Sequence, residues 1–245
     1  MRRPFLTARW EHLVFLNYPC PPHLLAPLVP AGTELDPWHG ETLISLIGFR
    51  FADTRLLGIP VPWHRTFEEV NLRFYVRRRM PDGSARRAVI FVRELVPRAA
   101  IAAVARWAYN EPYWSVPMSH AVSLDPERGG RARYSWRHGG AACAVEATVR
   151  GQAVPLMPGS EAEFITEHYW GYTRQRDGST LEYEVAHPPW RVWSADTGVF
   201  EGSSAALYGD AFARILGQPP RSTFVAVGSP VTVYRPTPLA TGGPR

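Results

Sequence analysis

Apolar and polar residues alternate over much of the chain, and these stretches read as strands: Leu43 to Arg55, Phe67 to Arg79, Arg86 to Val96, Ala132 to Arg137, Ala142 to Gly151, His168 to Arg174, Thr180 to His187, and Ser222 to Tyr234. They are rich in Val, Ile, Phe, Tyr and Trp and are bounded by turns such as Arg176-Asp177-Gly178-Ser179, the signature of antiparallel pairing. Helical patterns cover Pro21 to Leu28, the alanine-rich Arg98 to Tyr109, and Ser203 to Leu216, which Gly217 closes. The chain reads as α+β with strands outweighing helices. With no internal repeat or long linker, residues 1–235 read as a single domain, and Pro236 to Arg245 as a flexible tail.

One strand carries more than packing. In Phe67 to Val76, Val70, Leu72, Phe74 and Val76 fall on one face, and Glu69, Asn71, Arg73 and Tyr75 on the other. An ordinary half-exposed strand accounts for such a pattern, but Asn is a poor strand former, and acid, amide, guanidinium and phenol on one row resemble a binding site's inventory. Glu69 and Arg73 stand four residues apart, about 13 Å along a strand, so they cannot pair directly. If the row faces an interior, Arg73 can hold a carboxylate while Glu69, its pKa raised by desolvation, moves a proton.

Composition narrows the chemistry. All 27 basic residues are arginine and there is no lysine, so every side-chain cation is a guanidinium and no side-chain amine can form a Schiff base. The 245 residues, 45% hydrophobic and 12% aromatic, suffice for a substantial core. A net charge of +5 raises the question of nucleic acid. Arg77, Arg78, Arg79, Arg86 and Arg87 bracket the turn Met80-Pro81-Asp82-Gly83 at the end of a hairpin, and read as solvated charge, since no nucleic-acid motif accompanies them. Neither a membrane span nor a signal peptide is apparent, so a cytoplasmic protein is expected. Cys20 and Cys143 are expected to be free buried thiols.

Asn110-Glu111-Pro112-Tyr113-Trp114 follows the alanine-rich helix, where Pro112 disfavours helix at Glu111. It reads either as a helix stop with aromatic packing or as part of a pocket, with Glu111 and Tyr113 offering polar groups to a ligand. His187, at the end of a strand, reads first as a core residue and second as a pocket contact. The histidines show no metal spacing, and phosphate-loop, nucleophile-elbow and dinucleotide fingerprints are absent, so no metal or cofactor is expected.

Glu69-Val70-Asn71-Leu72-Arg73-Phe74-Tyr75, together with Trp10 to Pro19, the Gly40-Glu41 to Phe49-Arg50 segment and His187-Pro188-Pro189-Trp190, resembles the YqjF-like domain-of-unknown-function family of the acetoacetate decarboxylase-like superfamily. The resemblance runs from about Trp10 to Tyr234. It implies a mainly antiparallel, cone-shaped β-barrel with a few peripheral helices, enclosing a small cavity and often assembled into homo-oligomers. Acetoacetate decarboxylase works through a lysine Schiff base, expected in the region of Asn110 to Tyr113, where this chain has none. What carries over is a cavity with an acid and an arginine. The expected function is a non-Schiff-base lyase or isomerase acting on a small oxo- or hydroxy-carboxylic acid, with Glu69 and Tyr113 catalytic and Arg73, Asn71, Tyr75, Glu111 and His187 binding substrate. The alternative is a binding or sensing protein for the same class of organic acid, without turnover.

Overall fold

The computed structural model describes residues 3–61, 65–103 and 110–239. Its strands are β1 (Pro4–Pro19), β2 (Glu34–Leu35), β3 (Leu43–Leu56), β4 (Ile59–Pro60), β5 (Phe67–Arg79), β6 (Ala85–Val96), β7 (Tyr113–Ser115), β8 (Met118–Asp125), β9 (Gly129–His138), β10 (Ala141–Arg150), β11 (Val154–Pro155), β12 (Trp170–Arg174), β13 (Thr180–Ala186), β14 (Arg191–Glu201), β15 (Ser222–Tyr234) and β16 (Thr237–Pro238). The helices are short: Pro22–Leu25, continued by a 3-10 turn over Ala26–Leu28, then Glu161–Thr166 and Ala205–Leu216. Each strand expected from alternation forms within a few residues of its expected ends. The predicted helix Arg98 to Tyr109 is helical over residues 99–103, and residues 104–109 lie outside the described residues.

The strands hydrogen-bond in the order β16-β13-β12-β6-β5-β3-β1-β15-β14-β10-β9-β8. Strand β13 also reaches β15, through Val185 opposite Val233 and Ala186 opposite Thr232. Pairing is antiparallel except where β6 meets β7 and β12. Strand β5, flanked by β3 and β6, is buried on both faces. Val70, Leu72, Phe74 and Val76 pack with Leu16, Leu46, Tyr134, Trp136 and Val145 in the larger core. On the opposite face Phe67 and Tyr75 join Phe15, Phe49 and Phe51 in the second. A half-exposed strand is thereby excluded: Glu69, Asn71 and Arg73 are only 3%, 3% and 9% exposed.

Strands β1, β8 and β14 carry no clean alternation. In β1 the register with β3 shifts between Glu11 and Val14, where His12 takes a φ of 55°, and the bulge breaks the two-residue period. Leu13-Val14-Phe15-Leu16 is apolar throughout because both of its faces are covered. Strand β8 ends the strand order and is largely exposed; Met118, Val122 and Leu124 pack against the larger core, and His120 interrupts their row.

The arginine hairpin differs from the solvated tip expected of it. Arg77 and Arg79 share Glu34, Arg78 and Arg86 share Glu182, and Arg87 holds Asp36 at 2.8 Å. Carboxylates from β2, from β13 and from the segment after β2 fold over the guanidinium groups, which alternation within the hairpin alone cannot disclose. The start of the expected C-terminal tail is also fixed, since Thr237 and Pro238 pair with β13 and Leu239 is buried.

Candidate functional site

Cross-strand register gathers the polar side chains. Ile47 of β3 lies opposite Asn71 of β5, Asn71 opposite Glu94 of β6, and Glu94 beside Tyr113 of β7. Two residues along, Phe49 pairs with Glu69, and two further, Phe51 pairs with Phe67. Directly opposed residues carry Cβ atoms about 5 Å apart on the same face, so the register alone brings Asn71, Glu94 and Tyr113 together. Glu111 arrives from the segment before β7.

These groups line a cavity of about 270 Å³. Asn71 Nδ2 donates to Glu69 Oε1 at 2.9 Å, and Tyr113 Oη donates to Glu69 Oε2 at 3.0 Å. Tyr183 Oη donates to Glu111 Oε1 at 2.7 Å. Glu94 is 2% exposed, and its Oε2 has no hydrogen-bond partner. Tyr183 reaches this position because it lies opposite Gly171, where an added Cβ would stand 2.2 Å from the Tyr183 ring carbon Cζ.

Three buried carboxyls share one small volume, and burial dominates their titration. It lifts Glu69 to about 7, against hydrogen bonds from Asn71 and Tyr113 and the charge of Arg73. It lifts Glu111 to about 8, opposed by the Tyr183 hydrogen bond and reinforced by Glu69. Glu94 is driven well above the usual carboxylate range by burial and then by Glu111 and Glu69. Burial and the neighbouring carboxylates likewise hold the Tyr113 phenol neutral. Near neutral pH the cluster combines one carboxyl poised between acid and base with two neutral acids able to donate hydrogen bonds.

Arg73 lines the cavity next to this cluster. Its Nη2 donates to the Ile165 carbonyl at 3.0 Å, its guanidinium carbon lies 5.6 Å from the centre of the Phe15 ring, and its buried Nε has no partner. Of the residues singled out from sequence, Glu69, Asn71, Arg73, Glu111, Tyr113 and His187 line the cavity. Tyr75 does not. Its hydroxyl lies 2.5 Å from Ser45 Oγ, and its ring packs on His168. His187 stacks on Trp190 at 4.3 Å with Nδ1 3.0 Å from the Pro188 carbonyl, and burial lowers its pKa.

Glu94, Tyr183 and His168 also line the cavity, as do Thr54 and Thr166, and sequence reasoning did not single them out. An acid within the apolar run Ile90 to Val96 is a signal that could have found Glu94; Tyr183 and His168 carry none. His168 is wholly buried, its pKa lowered to about 4 by desolvation, so it is neutral. The rest of the wall is apolar. Trp10, Phe49, Phe51 and Phe67 form a contiguous aromatic surface, with the Phe51 and Phe67 rings stacked 4.6 Å apart. Among the described residues no three His, Cys, Asp or Glu side chains are disposed to hold a metal ion, and no helix is long and apolar enough to cross a membrane.

Comparison with known proteins gives a consistent picture. The DUF2071 family of uncharacterized conserved proteins matches residues 7–232. The uncharacterized protein YqjF of Bacillus subtilis (strain 168) is 30% identical over 193 residues, covering 76% of this chain and 74% of YqjF. Among solved structures, the acetoacetate decarboxylase of Legionella pneumophila superposes with a TM-score of 0.65 at 16% identity, over 96% of this chain and 87% of that one. The enduracididine biosynthesis enzyme MppR, solved with the condensation product of pyruvate and imidazole 4-carboxaldehyde, superposes at 0.68 with 13% identity, over 98% and 91% of the two chains. At these identities the structural likeness establishes the fold alone: a predominantly stranded sheet with few helices, like that of acetoacetate decarboxylase-like enzymes.

Proposed function

Because the chain belongs to the DUF2071 family and shares the fold of acetoacetate decarboxylase-like enzymes, we propose that its cavity binds a small oxo- or hydroxy-carboxylic acid and moves a proton on it without covalent attachment, as a lyase or isomerase. The sheet, returning on itself where β13 meets β15, acts as a barrel around that cavity. The observation that carries the reading is the pairing, in one cavity, of an arginine whose Nε is unpartnered with a glutamate titrating near neutrality. A related fold solved with pyruvate, that of MppR, supports the choice of ligand class.

Arg73 takes the carboxylate of the acid. Glu69, as carboxylate, removes a proton from the carbon next to the oxo group. The C–H electron pair becomes the carbon–carbon double bond of an enolate, and the carbonyl π pair moves to oxygen. Glu94, kept neutral, hydrogen-bonds that oxygen. Tyr113 and Asn71 orient Glu69, while Glu111 and His187 complete the walls around the substrate. Return of the proton at another atom is an isomerisation; departure of a group from the adjacent carbon is a lyase reaction.

The test is deuterium exchange at C3 of pyruvate or 2-oxobutyrate, the carbon next to the oxo group, in D2O, followed by proton NMR. Wild-type protein accelerates exchange, and Glu69→Gln lowers the rate about 100-fold or more while thermal stabilisation by the ligand persists. Stabilisation of the wild type with no exchange would instead establish a binding or sensing protein.

A further inference from the structure

We infer that the cavity is built for an aryl-substituted 2-oxo acid of the phenylpyruvate type rather than for a three-carbon acid. The inference rests on the carboxylate reading of Arg73 given above.

Order along one strand carries it. On the cavity face of β5 the residues run Phe67, Glu69, Asn71, Arg73, each about 6.6 Å from the next along the strand. Arg73 stands at one end, the proton-transfer group in the middle, and Phe67 at the other end, stacked against Phe51 of β3. A 3-aryl-2-oxo acid has its groups in the same order: carboxylate, oxo carbon, a carbon bearing the acidic proton, then the ring. The Arg73 guanidinium leans toward Phe15, which pairs with Ile47 opposite Asn71, so a carboxylate held there stands closer to Glu69 than the strand length between their backbones; the acidic carbon then comes to Glu69 and the ring to the aromatic surface of Phe49, Phe51, Phe67 and Trp10, whose centroids lie 4.6 to 5.8 Å from their neighbours. Phe49 is the direct cross-strand neighbour of Glu69, so no polar residue separates the acid from the ring site on these two strands.

Volume points the same way. An apolar protein cavity of about 150 Å³ accommodates benzene. The cavity here is about 270 Å³, leaving about 120 Å³, roughly four waters' share of liquid at ~30 Å³ each, for a three-carbon acid head. Pyruvate by itself would leave a ring-sized apolar void, and water there would find no hydrogen-bonding partner on the Phe51 and Phe67 side chains. The aromatic surface offers dispersion and edge contacts specific to a flat ring.

Isothermal titration of the intact protein with pyruvate, 2-oxobutyrate and phenylpyruvate tests this. Phenylpyruvate is expected to bind about 100-fold more tightly than pyruvate, the gain from burying a six-carbon ring in place of a hydrogen, with 2-oxobutyrate only a few-fold better than pyruvate. Phe67→Leu, a size-reducing change that keeps the wall apolar, should weaken phenylpyruvate several-fold more than pyruvate. Equal affinities for pyruvate and phenylpyruvate would overturn the inference, as would binding of neither. Arg73→Gln separates it from the reading on which it rests: that variant should weaken both acids alike and preserve their ratio. If it weakens neither, the carboxylate reading fails, while the wild-type ratio still decides whether the ring site exists.

Discussion

Replacing Glu111 by Gln should make the protein more stable, and increasingly so as the pH rises. Glu111 is 5% exposed and keeps its proton in the folded protein up to about pH 8, against 4.5 in an unperturbed glutamate. Below pH 4.5 the carboxyl is neutral in both states and takes nothing from stability. Between pH 4.5 and 8 the unfolded chain releases the proton and the folded chain holds it, so each pH unit removes about 1.4 kcal/mol of stability through this one group. At pH 7 the accumulated loss is about 3 kcal/mol. Gln is neutral at every pH, has nearly the same shape, and retains a carbonyl oxygen to accept the Tyr183 hydrogen bond made at 2.7 Å. Glu111→Gln should therefore match the wild type near pH 5 and exceed it by about 3 kcal/mol at pH 7, roughly 6 to 12 °C in Tm for a chain of this size. Urea unfolding followed by tryptophan fluorescence, at half-unit steps from pH 5 to 7.5, gives both slopes. The variant's decline with pH should be shallower by about 1.4 kcal/mol per unit. Superimposable slopes would mean that Glu111 ionises in the folded protein as it does in water, and the neutral-acid account of the cluster would fall with it.

Other consequences are equally accessible. Borohydride added with a 2-oxo acid should leave no adduct on any internal residue by peptide mass spectrometry, since no lysine is present, and an internal adduct would overturn the non-covalent reading. Gly171→Ala should displace the Tyr183 ring, which an added Cβ would meet at 2.2 Å, and so break its hydrogen bond to Glu111. A loss of about 1 to 3 kcal/mol is expected, and a variant as stable as wild type would show that the ring has other room.

What could be read from the sequence divides along a physical line. Strands β5 and β15 match their expected spans end for end, and in β5 a two-residue period over Glu69 to Val76 let its polar row be sorted onto one face. Strand β1 could not be read this way, since the bulge at His12 resets its period. Within the site, Glu69, Asn71 and Arg73 were legible because they share a strand. Glu94 and Tyr183 were not: each reaches the cavity through pairing between strands, Glu94 against Asn71 and Tyr183 against Gly171, and register is a non-local property that one sequence does not encode visibly. The arginine hairpin shows the same limit, its partners Glu34, Asp36 and Glu182 coming from elsewhere in the chain.

The absence of lysine shapes the cavity's charge as well as its chemistry. Three carboxyls and one guanidinium face a shared, largely apolar volume. Were all three ionised, two uncompensated negative charges would be buried, each costing several kcal/mol. With only Arg73 to balance them, the cluster approaches neutrality by keeping two of its protons, which is the state that burial and mutual repulsion favour for Glu94 and Glu111. A lysine would have supplied a second cation and let another carboxyl ionise; its absence leaves protonated carboxyls as hydrogen-bond donors. Such donors serve an oxyanion without forming a bond to carbon. The residue composition that forbids an imine thus places acidic protons beside Glu69, as the proposed proton transfer requires.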